Sequence, residues 1–188
     1  MFIRFFCILL VLYAVSTGCT KSVPPVEAVM ALQQMNELAT VEYIVTKIIK
    51  ANDNQTWYKL GNRKIVMSCR ATLTAGINLS LIKPENVRIN GTEIELSLPH
   101  ATLISLNIKP EDIAKEYETV SILRNTFSAA ERNELAVQAE NQIRNSVNEL
   151  GILTTAETNA SLFVNNFLSR LGYKKISIRF NQSNPIKN

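Results

Sequence analysis

Apolar positions along this chain change their spacing three times. Phe5 to Val15 is an almost unbroken apolar run behind a single basic residue, Arg4. From Val41 to Ile108 apolar residues recur mainly at every second position, the period of a half-buried strand. From Ala129 to Leu171 they recur every third or fourth, the period of an amphipathic helix. Lys174 to Phe180 goes back to alternation, with Ile176, Ile178 and Phe180 on one side. Strands, then helices, then one strand is the order of an α+β fold. It predicts a mostly antiparallel sheet built from hairpins, packed on one face by two or three C-terminal helices, with the final strand returning to the sheet.

In the strand-forming half, Val41 to Ile49 is dense in β-branched residues and apolar on both faces, which predicts a central strand. Ala51 to Gln55 ends it as a polar loop. Thr56–Leu60 and Arg63–Leu73 flank Gly61-Asn62, a pair suited to a tight hairpin. The second arm puts Ile65, Met67, Cys69, Ala71 and Leu73 on one face and Lys64, Ser68, Arg70 and Thr72 on the other. Asn90-Gly91 signals another hairpin, with Val87 and Ile89 before it, Ile94, Leu96 and Leu98 after it, and Pro99 closing the strand. Leu103 to Ile108 is expected to turn Ile104, Leu106 and Ile108 inward.

Pro110-Glu111-Asp112, a proline and two acids, is expected to open the helical half. Ser128-x-x-Glu131 and Thr154-x-x-Glu157 both match a capping box. One helix should bury Leu135, Ala139, Ile143 and Val147 and stop at Gly151. The next should bury Ala156, Ala160, Phe163, Phe167 and Leu171 and stop at Gly172.

The N-terminal apolar run is too short for a stable membrane span and has the layout of an export signal. Ser16-Thr17-Gly18-Cys19 follows it, and small residues before a cysteine resemble the lipobox, where bacterial lipoproteins are acylated and cut, although Ser16 stands where Leu is preferred. The expected organisation is a signal peptide over 1–18, a lipid-anchored tether over 19–36 with Pro24-Pro25 and a short helix, a single α+β domain over 37–181, and a polar tail over 182–188. Lipid on Cys19 would hold the chain on a bacterial envelope membrane. Cys7 leaves with the signal, so Cys69 becomes the lone free thiol; a Cys19–Cys69 bridge is open only if Cys19 stays unmodified.

The 188 residues are 46% hydrophobic and 19% charged, enough for one core. A formal charge of +4, reduced by one when Arg4 is removed, gives no argument for nucleic acid. No phosphate loop, nucleophile elbow or dinucleotide fingerprint is present, so no catalytic, cofactor-binding or metal-binding residues are assigned. Cys69 with His100, the single histidine, would make a nucleophile and base only if the fold joined them; alternation puts Cys69 in the core instead. Glu111, Asp112, Glu116 and Glu118 form the one acidic cluster, suited to a helix start and, in a second reading, to hydrolysis of envelope polymers. Arg170, Lys174, Lys175 and Arg179 make a basic group that a solvated face or contact with lipid headgroups would explain. Trp57 and Tyr58 either pack on the sheet or present an aromatic pair to an envelope protein or a glycan. Asn-x-Ser/Thr triplets at Asn54, Asn78, Asn90, Asn159 and Asn181 carry no meaning in a bacterium.

Leu38-Ala39-Thr40-Val41-Glu42-Tyr43, Trp57-Tyr58-Lys59-Leu60-Gly61, Ala75-Gly76-Ile77-Asn78-Leu79-Ser80 and Leu171-Gly172-Tyr173 resemble, in this order, the bacterial domain of unknown function 4230. The likeness spans about residues 37–181. The resemblance implies an envelope-associated protein of Gram-negative bacteria and supplies no catalytic residue. The anchor together with the missing catalytic set leads to the reading of a non-enzymatic binding or assembly module tethered at Cys19.

Overall fold

The computed structural model describes residues 25–53 and 60–181. Cys19, Trp57, Tyr58 and the stretches expected as a signal peptide (1–18) and a polar tail (182–188) lie outside them. Helix α1 (Pro25–Gln34) leads into strand β1 (Glu37–Asp53), which folds back as β2 (Arg63–Asn78). Then come β3 (Val87–Asn90), β4 (Glu93–Leu98), β5 (Thr102–Asn107), β6 (Ile113–Val120), helices α2 (Ala129–Asn145) and α3 (Ile152–Arg170), and β7 (Lys175–Phe180). Among these residues no helix is long and apolar enough to cross a membrane.

The strands form a four-stranded and a three-stranded sheet. In the larger, β2 pairs with β1 from Arg63↔Asp53 to Asn78↔Glu37, and its other edge is shared end to end by β6 and β5. In the smaller, β4 lies between β3 and β7, and β7 is parallel to it. The fold is therefore α+β with mostly antiparallel pairing, C-terminal helices and a final strand that returns, to the smaller sheet.

Several expected elements move. β1 is an edge strand, not a central one: Ile44 and Ile48, read as a second buried face, are 69% and 57% exposed. β2 takes the centre, and its inward row from Ile65 to Ile77 is buried throughout. Gly61-Asn62 does not close a two-residue hairpin, because the long β1 already occupies that edge of β2, and Asn62 is bonded instead to Ser121. At the second hairpin the turn falls on Gly91-Thr92, one residue late.

In β5 a bulge opposite Thr74 and Ala75 puts Leu103, rather than Ile104, against the core beside Leu106. Pro110 opens only a three-residue turn, and β6 follows where a helix was expected. The tertiary reason is that β5 covers β2 only from Thr72 to Gly76, so Arg63–Cys69 needs another partner. Tyr117, Thr119 and Val120 suit that role.

Ser128 and Glu131 form the expected capping box on α2. Thr154-x-x-Glu157 does not cap, because α3 starts earlier, behind Gly151. The earlier start accompanies a buried row of Ile152, Ala156, Ala160, Val164 and Leu168. Strict i+4 steps displace Phe163 and Phe167 to the side of that row, where the two rings stack with centroids 6.5 Å apart.

Most of the core lies at the Asn78 end of β2, between both sheets and the helices, and α1 belongs to it through Leu32. Gln33 of α1 donates to the Ile82 carbonyl, and Leu79 donates to the Asn36 carbonyl. Toward Arg63 the core thins to small clusters around Cys69 and Phe127.

A β1 bulge at Thr40 ties the sheet to α3: Thr40 Oγ1 donates to the Ala156 carbonyl, and Asn159 Nδ2 donates to the Thr40 carbonyl, both at 3.0 Å. Tyr43 and Thr155 share a further hydroxyl bond at 3.2 Å. Thr40 and Tyr43 both belong to the Leu38–Tyr43 piece, so that piece is a structural junction.

Candidate functional site

The residues considered from sequence as chemistry do not converge. Cys69 is fully buried against Ile49, Ala136 and Ala139, and burial pushes its thiol pKa up, away from thiolate. His100 stands elsewhere, its Nδ1 2.8 Å from Glu157 Oε1 and its ring stacked on Phe180. Asp112 faces Arg70, Glu116 accepts from Ser68, and Glu118 accepts from Lys115 and from the Phe127 N–H. Each of these carboxylates thus has its own partner along a turn and a strand. Among the described residues no group of His, Cys, Asp and Glu is arranged to hold a metal ion.

His100 gives the first measurable consequence. The hydrogen bond to Glu157 raises its pKa above the ordinary 6.5, against a smaller opposing effect of burial. A folded-state pKa above the unfolded one means the pair stabilises the fold fully below about 6.5 and stops doing so as pH climbs through the folded value. With one histidine in the chain, a single imidazole titration by NMR reads this directly. Glu157→Gln should move that midpoint back toward 6.5, and an unshifted midpoint in the parent would refute the pairing.

The densest polar constellation lies at the opposite end, around Arg63. Its Nε donates to Asp53 Oδ2 at 3.0 Å, its terminal nitrogens reach both oxygens of Glu131, and its guanidinium carbon stands 4.3 Å over the Phe127 ring. Arg124 donates to Asp53 and to the Gly61 carbonyl. The Arg63 hydrogen bond, followed by those from Ser128, holds the Glu131 carboxyl down at about 2. The sequence reading missed this set because its members are far apart in the chain; only the capping box at Ser128 signalled part of it.

The network ties Asp53, Gly61 and Asn62 to the 121–124 loop. Asn62 and Ser121 exchange backbone and hydroxyl hydrogen bonds at 2.9 Å. Gly61, at φ +85°, lets the loops meet, since a Cβ there would lie 2.6 Å from Ser121 Cβ. The apolar side chains brought to this end are left in solvent: Ile122 wholly, Leu123 at 73% and Leu60 at 61%. Tyr117, Ile44 and Ile48 continue the exposed apolar surface along the outer face of the sheet.

The remaining basic residues, Arg170, Lys174, Lys175 and Arg179, are all exposed, with Lys175 3.1 Å from Glu93. Residues 30–178 match the family described as protein of unknown function, DUF4230. No curated protein and no solved structure matches the chain.

Proposed function

Because the chain belongs to the DUF4230 family, whose description assigns no activity, we propose from its own residues that it is an exported lipoprotein. On this reading it is anchored to a bacterial envelope membrane through Cys19 and works as a non-enzymatic binding module. Its contact surface is the apolar end formed by Leu60, Ile122 and Leu123, Trp57 and Tyr58 are the further contact residues that the sequence offers, and its partner is another envelope component, a protein or a glycan.

The observation that carries the reading is the exposure of Leu60, Ile122 and Leu123 beside the ionic clamp of Asp53, Arg63, Arg124 and Glu131. Single exposed apolar residues are ordinary, but several brought together at one end of a fold mark a contact surface. Geometry adds direction. The chain enters the domain through α1 at the Asn78 end, and β2, with 16 residues, separates that end from the apolar loops by about 50 Å. A tether at Cys19 would therefore leave the apolar end free to reach away from its own membrane.

The experiment is photocrosslinking in intact envelopes from position 122 and, as a control, from position 81, which is also exposed but lies at the tether end. One species captured from 122, absent from 81 and lost in Trp57→Ala, is expected. Equal capture from both positions would overturn the reading. Mass spectrometry of the mature N-terminus tests the anchor, with an unacylated Cys19 as the adverse result.

A further inference from the structure

β7 bonds to β4 through alternate residues. Lys175 donates its N–H to the Thr92 carbonyl and Asn181 to the Leu98 carbonyl, and the parallel register repeats that pattern at Ser177 and Arg179. The N–H and C=O groups of Ile176, Ile178 and Phe180 therefore face the other edge of the strand, where none of the described residues pairs with them. Beside this edge runs α3, and Thr158, Ser161, Leu162 and Asn165 of the helix, with Ile178 and Phe180 of the strand, line a groove of about 410 Å³. His100, stacked on Phe180 and bonded to Glu157, stands at one end.

We propose that this groove takes an extended peptide of another protein as an added strand on β7, with acidic residues at its solvent-facing alternate positions and apolar residues between them. The surface is separate from the apolar loops and does not depend on their role.

Alternating donors and acceptors along an open edge are matched in spacing by another extended backbone, and a groove between an edge strand and a helix is a recurrent setting for that match. The charge pattern selects the guest. The solvent side of β7 carries Lys175 and Arg179, both exposed; Lys175 is shared with Glu93, and Arg179 has no ion-pair partner among the described residues. Opposite charges on neighbouring strands attract and like charges repel. A second copy of β7 would set these cations against their own kind, which is how edge lysines discourage self-association. An acidic strand meets no such penalty. On the inner side, Leu162, 60% exposed, offers a contact for apolar guest residues.

The test uses the full chain in detergent micelles and a fluorescein-labelled peptide of about six residues alternating glutamate and valine, with a lysine–valine peptide as counterpart. Fluorescence anisotropy should register the glutamate peptide and not the lysine one. Hydrogen exchange by NMR should show Ile176, Ile178 and Phe180 amides becoming protected, while Ser177 and Arg179, already bonded, stay unchanged. Arg179→Glu should weaken the glutamate peptide about tenfold and admit the lysine peptide.

Ile178→Pro removes an outward donor without touching the β4 ladder and should abolish binding. Leu162→Glu, on an exposed helix position, blocks the groove from its other wall should the proline variant not fold. No protection of the three amides, an affinity indifferent to Arg179→Glu and Leu162→Glu, or protection of the same amides by self-association without peptide would each overturn the proposal.

Discussion

Gly76→Ala is expected to cost about 3 kcal/mol and to lower the melting temperature by roughly 10 °C. A Cβ at this position would lie 2.1 Å from the Leu38 carbonyl oxygen and 2.8 Å from Ile104 Cδ1. The side chain can swing away, but the carbonyl cannot without undoing the β1 bulge at Thr40. That bulge holds both hydrogen bonds to α3. The damage should therefore spread from one methyl group to the sheet–helix junction. Differential scanning calorimetry reads the loss, and a double variant separates its causes. Ile104→Ala in the Gly76→Ala background relieves the side-chain contact only, so it should recover little. Full recovery would show that the carbonyl approach is not what excludes a side chain.

Arg63→Met is expected to destabilise the fold by about 2 kcal/mol at neutral pH. Methionine preserves part of the packing over Phe127 but leaves Glu131 without its guanidinium. Asp53 keeps Arg124, which holds the loss below that of a fully orphaned buried charge. The pH dependence carries the diagnosis. Glu131 has its folded pKa lowered from 4.5 to about 2, so its contribution is fully present above about 4.5 and is lost as pH falls through about 2.

Glu131 is more than a third exposed, and solvent screening reduces that contribution to about 1 kcal/mol. Urea titrations at a series of pH values should find parent stability falling across that acid window. The fall should be shallower in Arg63→Met, where Ser128 alone holds the carboxylate. Parallel curves for the two proteins would place the depression at the cap rather than at Arg63. Because the same network secures the loops that carry Ile122 and Leu123, the variant should also weaken capture from position 122.

Local chemistry announced much of this molecule. The inward row from Ile65 to Leu73, the Val87–Leu98 hairpin, the Ser128 cap and the last strand were all legible, because each depends on alternation, turn chemistry or a hydrogen bond within a few residues. Where the reading went astray, the deciding interaction was distant in sequence. The 110–120 stretch opens with a proline and two acids, a sound helix start, yet it became a strand because half of β2 lacked a partner. Val41–Ile49 looked buried on both sides, but Ile44 and Ile48 face solvent, and nothing in their own neighbourhood distinguishes an isoleucine meant for the core from one left outside.

By itself the sequence determined the α+β order of elements, the core position of Cys69 and the family to which the chain belongs. Tertiary structure alone decided the rest: which strand is central, that His100 and Cys69 stand apart, that Asp53, Arg63, Arg124 and Glu131 gather into one clamp, and that none of the described residues pairs with the edge of β7 beside α3. Periodicity is a property of neighbours a few residues apart and survives in the unfolded chain. Strand order and ion clusters exist only once segments dozens of residues apart have been brought together, and no local pattern encodes that meeting.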